Sequence, residues 1–294
     1  MIYKDITFED YLKLDGINAS KLKPYSISPK RGLYKENKKF NRSMAMSLGS
    51  LVHAHVLEGQ KAAQELIDSK YITSGFPINE STGKAYSETS KKYQEWIAKQ
   101  DPSKEVIFPE ILENTVSKVV RAISGHKPSV NTLKQCSYRE VAITWVCQYT
   151  GAKCKALVDF FGENIAGDLK TFGQEMTQHS LKREIATRQY HLQFAFYRDG
   201  LIKNNINIDE FRVIFAKTSE DYDVGCFIVN DESLNQGQDD YIKAIGNYMI
   251  AHNSKDIKGC FPDLGYIGIP NSYLENDDEA DDEEKKIIAK LLEA

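Results

Sequence analysis

No stretch of this 294-residue chain approaches the run of about 18 apolar residues that a membrane-crossing helix needs. The N-terminal segment MIYKDITFEDYLKL lacks the basic start and the apolar stretch of a secretory leader, being amphipathic and acidic instead. A cytoplasmic protein is the expectation. Cysteine is sparse and poorly spaced for metal. Cys136, Cys147, Cys154, Cys226 and Cys260 are odd in number and contain no CxxC pair. That argues against a zinc or iron–sulfur site and for reduced thiols. Cys147 and Cys154 flank a turn and are placed to face one another as small buried hydrophobes. Internal repeats are absent. Aromatics, by contrast, are plentiful: 16 Tyr and 13 Phe within a 41% hydrophobic composition. Such a chain buries a sizeable core, as one large domain or two small ones.

A net charge of −4 looks wrong for a nucleic-acid partner, but it is unevenly spread. Residues 275–294 carry −6, which leaves +2 for residues 1–274. The expected organisation is one domain over 1–274, with a helical part to 130 and a core from 131, followed by an acidic tail over 275–294. Local basic patches are then allowed. One lies between Lys21 and Lys39, where lysines alternate with Tyr25 and Tyr34, a mixture suited to phosphate and base contacts. Within it, Arg31 has the planar fork of donors that matches a phosphate, with Lys30 and Lys35 adding diffuse attraction. Pro29 and Gly32 suggest a turn-prone stretch there.

Helices are expected over residues 6–15, from Asn18, over Ser43 to Leu57, over Lys91 to Lys99 and over Ile111 to Ser124, the last ended by Pro128. Gly49 inside a helix costs roughly 1 kcal/mol relative to Ala, a sign of close approach by another group. Residues 75–90 read as a mobile polar loop. The period then changes. Tyr138 to Tyr149, Lys153 to Phe161 and Ile165 to Thr171 are rich in β-branched and aromatic residues and are joined by short turns, which predicts a three-strand antiparallel meander. One long helix is expected over Thr177 to Lys203, strands over Phe211 to Thr218 and Asp223 to Val229, and a helix over Glu232 to Asn253. The fold class is α/β, a central mixed β-sheet with an antiparallel meander flanked by helices.

On the third strand of the meander, alternation points Asp168 and Lys170 to one face and Leu169 to the other. Asp159 ends the preceding strand and Glu140 begins the one before. Three acids near one face repel unless a cation joins them, and oxygen ligands select magnesium or manganese. The Leu169 carbonyl would be a further oxygen ligand. Lys170 would position water or neutralise charge developing on a phosphate.

The run Asp159 followed by Gly167-Asp168-Leu169-Lys170-Thr171 resembles the PD-(D/E)xK nuclease superfamily, with its restriction-endonuclease-like core. Gln193 through Tyr197 resembles the QxxxY signature of the RecB-like branch. Gly49-Ser50-Leu51-Val52-His53, continuing to Leu57-Glu58, resembles the GTxxHxxxLE helix of RecE-type (exodeoxyribonuclease VIII-like) phage exonucleases. Tyr190-His191-Leu192-Gln193 with Asp199-Gly200 resembles the same group. Val158 stands where that superfamily often has proline, which is no ligand.

The resemblance implies Asp159 and Asp168 as metal ligands, Lys170 as the catalytic lysine, and His53 as a further ligand or phosphate contact. It implies Glu140 as an additional acid, and Gln193 and Tyr197 as a brace for the site or a contact to the DNA backbone. It implies a Mg2+-dependent exodeoxyribonuclease (Mn2+ being an alternative) that degrades one strand of linear double-stranded DNA from its 5′ end, leaving 3′ overhangs for recombination. It further implies a homo-oligomeric ring, trimer or tetramer, and a RecT-like single-strand annealing partner. The rival readings are a Cas4-like or other RecB-like nuclease and a non-catalytic DNA-binding protein of the same fold.

Overall fold

The computed structural model describes residues 1–4, 6–39, 42–255, 257–261, 263, 264 and 267. The chain divides into two compact units, Met1–Ile257 and Lys258–Ala294. All helices and strands described below belong to the first unit. The acidic segment 275–294 lies outside the described residues.

In chain order the elements are β1 (Ile2–Tyr3), α1 (Phe8–Lys13), α2 (Ala19–Leu22), a 3-10 turn (Lys23–Ser26), α3 (Pro29–Glu36) and α4 (Met44–His53). A π turn (Ala54–Glu58), α5 (Gln60–Lys70), β2 (Tyr71–Ile72), α6 (Lys91–Ile97), β3 (Glu105–Val106) and α7 (Pro109–Ile111) follow. Next come a second π turn (Leu112–Val116), α8 (Ser117–Gly125), α9 (Lys127–Gln135), β4 (Tyr138–Val146), β5 (Lys153–Phe161) and β6 (Ile165–Phe172). The last are α10 (Gln178–Thr187), α11 (Tyr190–Lys203), β7 (Glu210–Lys217), β8 (Val224–Ile228) and α12 (Asp231–Asn253).

Six strands form one mixed sheet in the order β1-β4-β5-β6-β7-β8. The expected meander is there: β4, β5 and β6 are antiparallel neighbours. β6 and β7 then run parallel, so the chain crosses over between them through α10 and α11. β8 returns antiparallel to β7. β2 and β3 make a separate parallel pair.

Both faces of the sheet are covered, as β7 makes plain. Phe211, Val213 and Phe215 enter one core with Leu192, Phe194 and Phe196 of α11 and Tyr241 and Ile245 of α12. Ile214 and Ala216, pointing the other way, join Leu51 and Val52 of α4 and Val119 and Ile123 of α8. Each fully buried side chain of this kind contributes about 1.5–3 kcal/mol. A helix on each face gives the layered α/β architecture.

Three local expectations are corrected and one unforeseen helix is found. The helix foreseen over Thr177 to Lys203 is two helices, because Gln189 has φ 52°, a left-handed conformation that interrupts the ladder. A Thr177–Ser180 capping box starts the first of them. The helix expected to stop before Pro128 does end at Gly125, but Pro128 also sits in the first turn of an unforeseen helix, α9, where no backbone N–H is needed. The Pro29–Gly32 stretch is not a turn but the start of α3, capped by Ser28, and Gly32 lies against the Tyr25 ring. Finally, the helix begun at Ser43 changes to a π turn at Ala54, directly after His53. π turns of this kind occur often at functional sites.

Candidate active site

The site forms where β5 and β6 part. These strands pair at Phe160↔Gly167 and Phe161↔Ala166, next to their connecting turn. Beyond that, the backbone of Leu169 bonds to side chains instead. Its N–H donates to Asp159 Oδ2 at 2.8 Å, and its carbonyl accepts from His53 Nε2 at 2.5 Å. α4 brings His53 to the sheet. Gly49 of the same helix faces β6, where a Cβ would stand 3.3 Å from Thr171 Oγ1, in agreement with the close approach read from the sequence.

Glu140 lies opposite Asp159, between the register pairs Arg139↔Phe160 and Val141↔Val158. Its φ of 47° departs from strand geometry. His53 Nδ1 is 3.6 Å from both Glu140 Oε1 and Asp159 Oδ2. These three residues form a cluster whose ligand atoms lie within 4.8 Å of one another. Burial opposes charge on His53, but Asp159 and Glu140 outweigh it and push its pKa up to about 9. A proton on His53 therefore balances the two carboxylates. Burial, and then Asp168, raise the Asp159 pKa.

Asp168 is fully buried beside Asp159 and is held from the α11 side. It forms an ion pair with Lys170 and accepts from Gln193 Nε2 at 2.8 Å. Burial works against charge on Lys170, yet Asp168 and Asp159 prevail and raise its pKa. Gln193 Nε2 also donates to Tyr197 Oη at 3.1 Å, and Gln193 Oε1 accepts from Lys23 Nζ at 2.8 Å. The amide orientation is thereby fixed: a carboxylate can only accept and an ammonium can only donate.

The residues singled out from the sequence thus fall into two adjoining groups and one outlying set. His53, Glu140 and Asp159 converge on one side, with the Leu169 carbonyl against His53. Asp168, Lys170, Gln193 and Tyr197 converge on the other. Lys30, Arg31 and Lys35 are exposed on α3, with Arg31 5.7 Å above the Tyr34 ring. Among the described residues, none of these three bonds to the two groups.

Sequence reasoning missed Lys23, Tyr190 and Glu58. Lys23 was one base among many in the run from Lys21. It sits 4.8 Å from the centroid of the Tyr190 ring, and Lys170 sits 4.9 Å from the same ring. Burial first, then Lys170, lower the Lys23 pKa to about 7. Glu58 closes the π turn; burial and nearby Glu140 raise its pKa.

The donor set fits a divalent cation. Glu140 Oε1 is buried without a hydrogen-bond partner, an expense avoided in protein interiors unless an ion or ligand completes the site. Two carboxylates and an imidazole, converging within 4.8 Å, are donors that a divalent cation accepts.

A mixed sheet with helices on both faces, and acids converging beside an acid–x–Lys strand, define a PDDEXK-like protein. The family model for "PDDEXK-like domain of unknown function (DUF3799)" matches residues 18–257, and the chain belongs to that family. A crystal structure of a candidate exonuclease from Eubacterium rectale is similar in fold. It is 13% identical, with a TM-score of 0.56, over 92% of this chain and 98% of that one. No curated protein sequence matches.

Proposed function

We propose that the protein is a magnesium-dependent exodeoxyribonuclease that degrades one strand of linear double-stranded DNA from the 5′ end, leaving 3′ overhangs for recombination by strand annealing. The observation that carries this reading is the orphaned Glu140 Oε1, clustered with His53 and Asp159 beside the Asp168–Lys170 ion pair. His53, Glu140 and Asp159 would hold the cation, with Asp168 and the Leu169 carbonyl adjoining them. When bound, a divalent cation supplies positive charge against a phosphate and lowers the pKa of water.

The chain's own groups have separate tasks. Lys170, kept protonated by Asp168, is a fixed ammonium and acts as a donor and counter-charge to the scissile phosphate rather than as a base. Gln193 holds Asp168, and Asp168 in turn aims Lys170. Tyr197 keeps its proton because burial and then Asp168 raise its pKa well above the ordinary value, so its hydroxyl remains available as a donor. Lys23 presents a second cation on the same Tyr190 ring, suited to a neighbouring backbone phosphate. By resemblance, a ring of three or four copies would thread the duplex and pass its product to a RecT-like annealing protein.

The test is digestion of end-labelled duplexes with magnesium, comparing 5′-phosphate, 5′-hydroxyl and circular substrates. Release of the 5′ label first, from linear DNA alone, is expected. Cleavage of circles, or release of the 3′ label first, would overturn the assigned polarity and end-dependence.

A further inference from the structure

Along β4 from Glu140, the sheet leads to a cavity of about 290 Å3 whose walls include Trp145, Tyr149, Arg198, Lys203, Gln238 and Tyr241. The volume lies near the lower end of the roughly 300–1,000 Å3 typical of small-ligand sites. It suits one compact ligand rather than a peptide or a helix.

Three observations define its chemistry. First, it is aromatic on one side. Trp145 packs on Phe196 with ring centroids 4.6 Å apart. It lies so close to α11 that a Cβ on Gly200 would come within 2.7 Å of the indole. The indole is therefore held as a rigid wall, and Tyr149 beside it is 51% exposed. Second, the one carboxylate of the cavity is already engaged. Asp199 Oδ2 accepts from Gln238 Nε2 at 2.6 Å and from Tyr241 Oη at 2.5 Å. Third, the cation facing it is not satisfied. Arg198 Nε is buried with no hydrogen-bond partner. Its ion pair among the described residues, with Asp199 Oδ1, is stretched to 3.9 Å. A half-buried guanidinium with an idle donor needs an oxyanion, and Lys203, one further turn along α11, adds charge of the same sign.

We propose that this cavity is a nucleotide subsite, in which a base stacks against Trp145 and Tyr149 while its phosphate is received by Arg198 and Lys203. Stacking of a base on aromatic rings together with an arginine–phosphate contact is a sequence-tolerant way to hold a nucleotide. The choice of a nucleotide rests on the nuclease reading above. Trp145 lies five residue steps from Glu140 along β4, about 17 Å, and packs on the α11 face, whereas Glu140 meets His53 of α4 on the other. The ligand is either a mononucleotide released by cleavage or a nucleotide of the bound strand.

Two tryptophans, Trp96 and Trp145, make the test direct. In a W96F protein, fluorescence reports Trp145 alone, without metal or turnover, so the outcome is independent of whether the chain cleaves DNA. Titration with a deoxynucleoside monophosphate is expected to quench this signal to saturation, and the matching deoxynucleoside should bind at least tenfold more weakly. Arg198→Met keeps the apolar stem and removes the charge; it should weaken phosphate-dependent binding at least tenfold, and Lys203→Gln should weaken it less. Quenching by the mononucleotide identifies a product site, whereas quenching by single-stranded oligonucleotides alone identifies a strand site. Equal affinity for nucleoside and nucleotide, or an unchanged signal with both mononucleotide and oligonucleotide at millimolar concentration, would overturn the proposal even if Arg198→Met does not fold.

Discussion

Lys23 and Lys170 lie against one tyrosine ring, 4.8 and 4.9 Å from the Tyr190 centroid, and only Lys170 has a carboxylate partner among the described residues. Lys23 leans on a neutral amide, Gln193 Oε1, instead. The two ammonium groups therefore respond differently to pH.

For Lys23 the sign is definite. Its folded-state pKa, about 7, lies below the ordinary 10.5. Between these values the unfolded chain binds more protons than the native one, so stability rises with pH across that window. A Lys23→Met variant escapes the penalty. Its melting temperature relative to the parent should fall steadily from pH 7 toward pH 10.5 in metal-free buffer. A difference independent of pH would show that Lys23 is not held in this environment.

Replacing Lys170 by Ala should leave DNA binding in calcium nearly intact while magnesium-driven cleavage drops by at least about 10²–10³-fold, the usual cost of removing a preorganised donor to a developing charge. Rates on a labelled linear duplex, with binding measured by anisotropy, separate the two effects. Near-normal turnover would remove Lys170 from the mechanism.

Asp159→Asn and Asp168→Asn should both lose activity and weaken magnesium binding, yet differ in metal-free stability. Asp168→Asn strands the Lys170 ammonium in a buried position, and losing one partner of such a pair costs about 3–5 kcal/mol. Asp159→Asn removes one of two crowded carboxylates and still offers an oxygen to the Leu169 N–H. Thermal melts in chelator should show a large drop for Asp168→Asn alone.

Gln193→Met should lower kcat by about 10–100-fold with little change in KM, the range seen when partners that orient catalytic ligands are lost. A larger effect on KM than on kcat would place Gln193 in contact with DNA rather than behind Asp168.

Gly237→Ala tests the seat of α11. A Cβ at residue 237 of α12 would meet His191 O at 2.1 Å, so the two helices must separate. Overpacking of this sort costs about 1–3 kcal/mol. Because α11 carries Gln193, activity should fall along with the melting temperature.

Much of this site could be read from the sequence because its strand residues are local. Asp159, Asp168 and Lys170 sit on two strands joined by a short turn, and period-2 alternation places the last two on one face. The β-branched runs of β4 to β8 are similarly explicit. What stayed hidden depends on distant contacts or on rare backbone states. Nothing in the Lys21–Lys39 run separates Lys23 from its neighbours until α11 lies beside it. The break at Gln189 uses a left-handed conformation at a residue that gives no warning of it. The two-residue strands β1, β2 and β3 are too short for any pattern and exist through their partners. α9 was masked by Pro128, which halts a helix in its middle but starts one at its first turn.

The pairing of Lys23 with Gln193 spans 170 positions of sequence, and that separation sets a schedule for synthesis. At about 5–20 residues per second, translation delivers the Gln193 side on the order of ten seconds after Lys23. His53 likewise waits for β5 and β6 to emerge. A nascent or prematurely terminated chain that stops before α11 therefore carries fragments of the centre but no complete assembly.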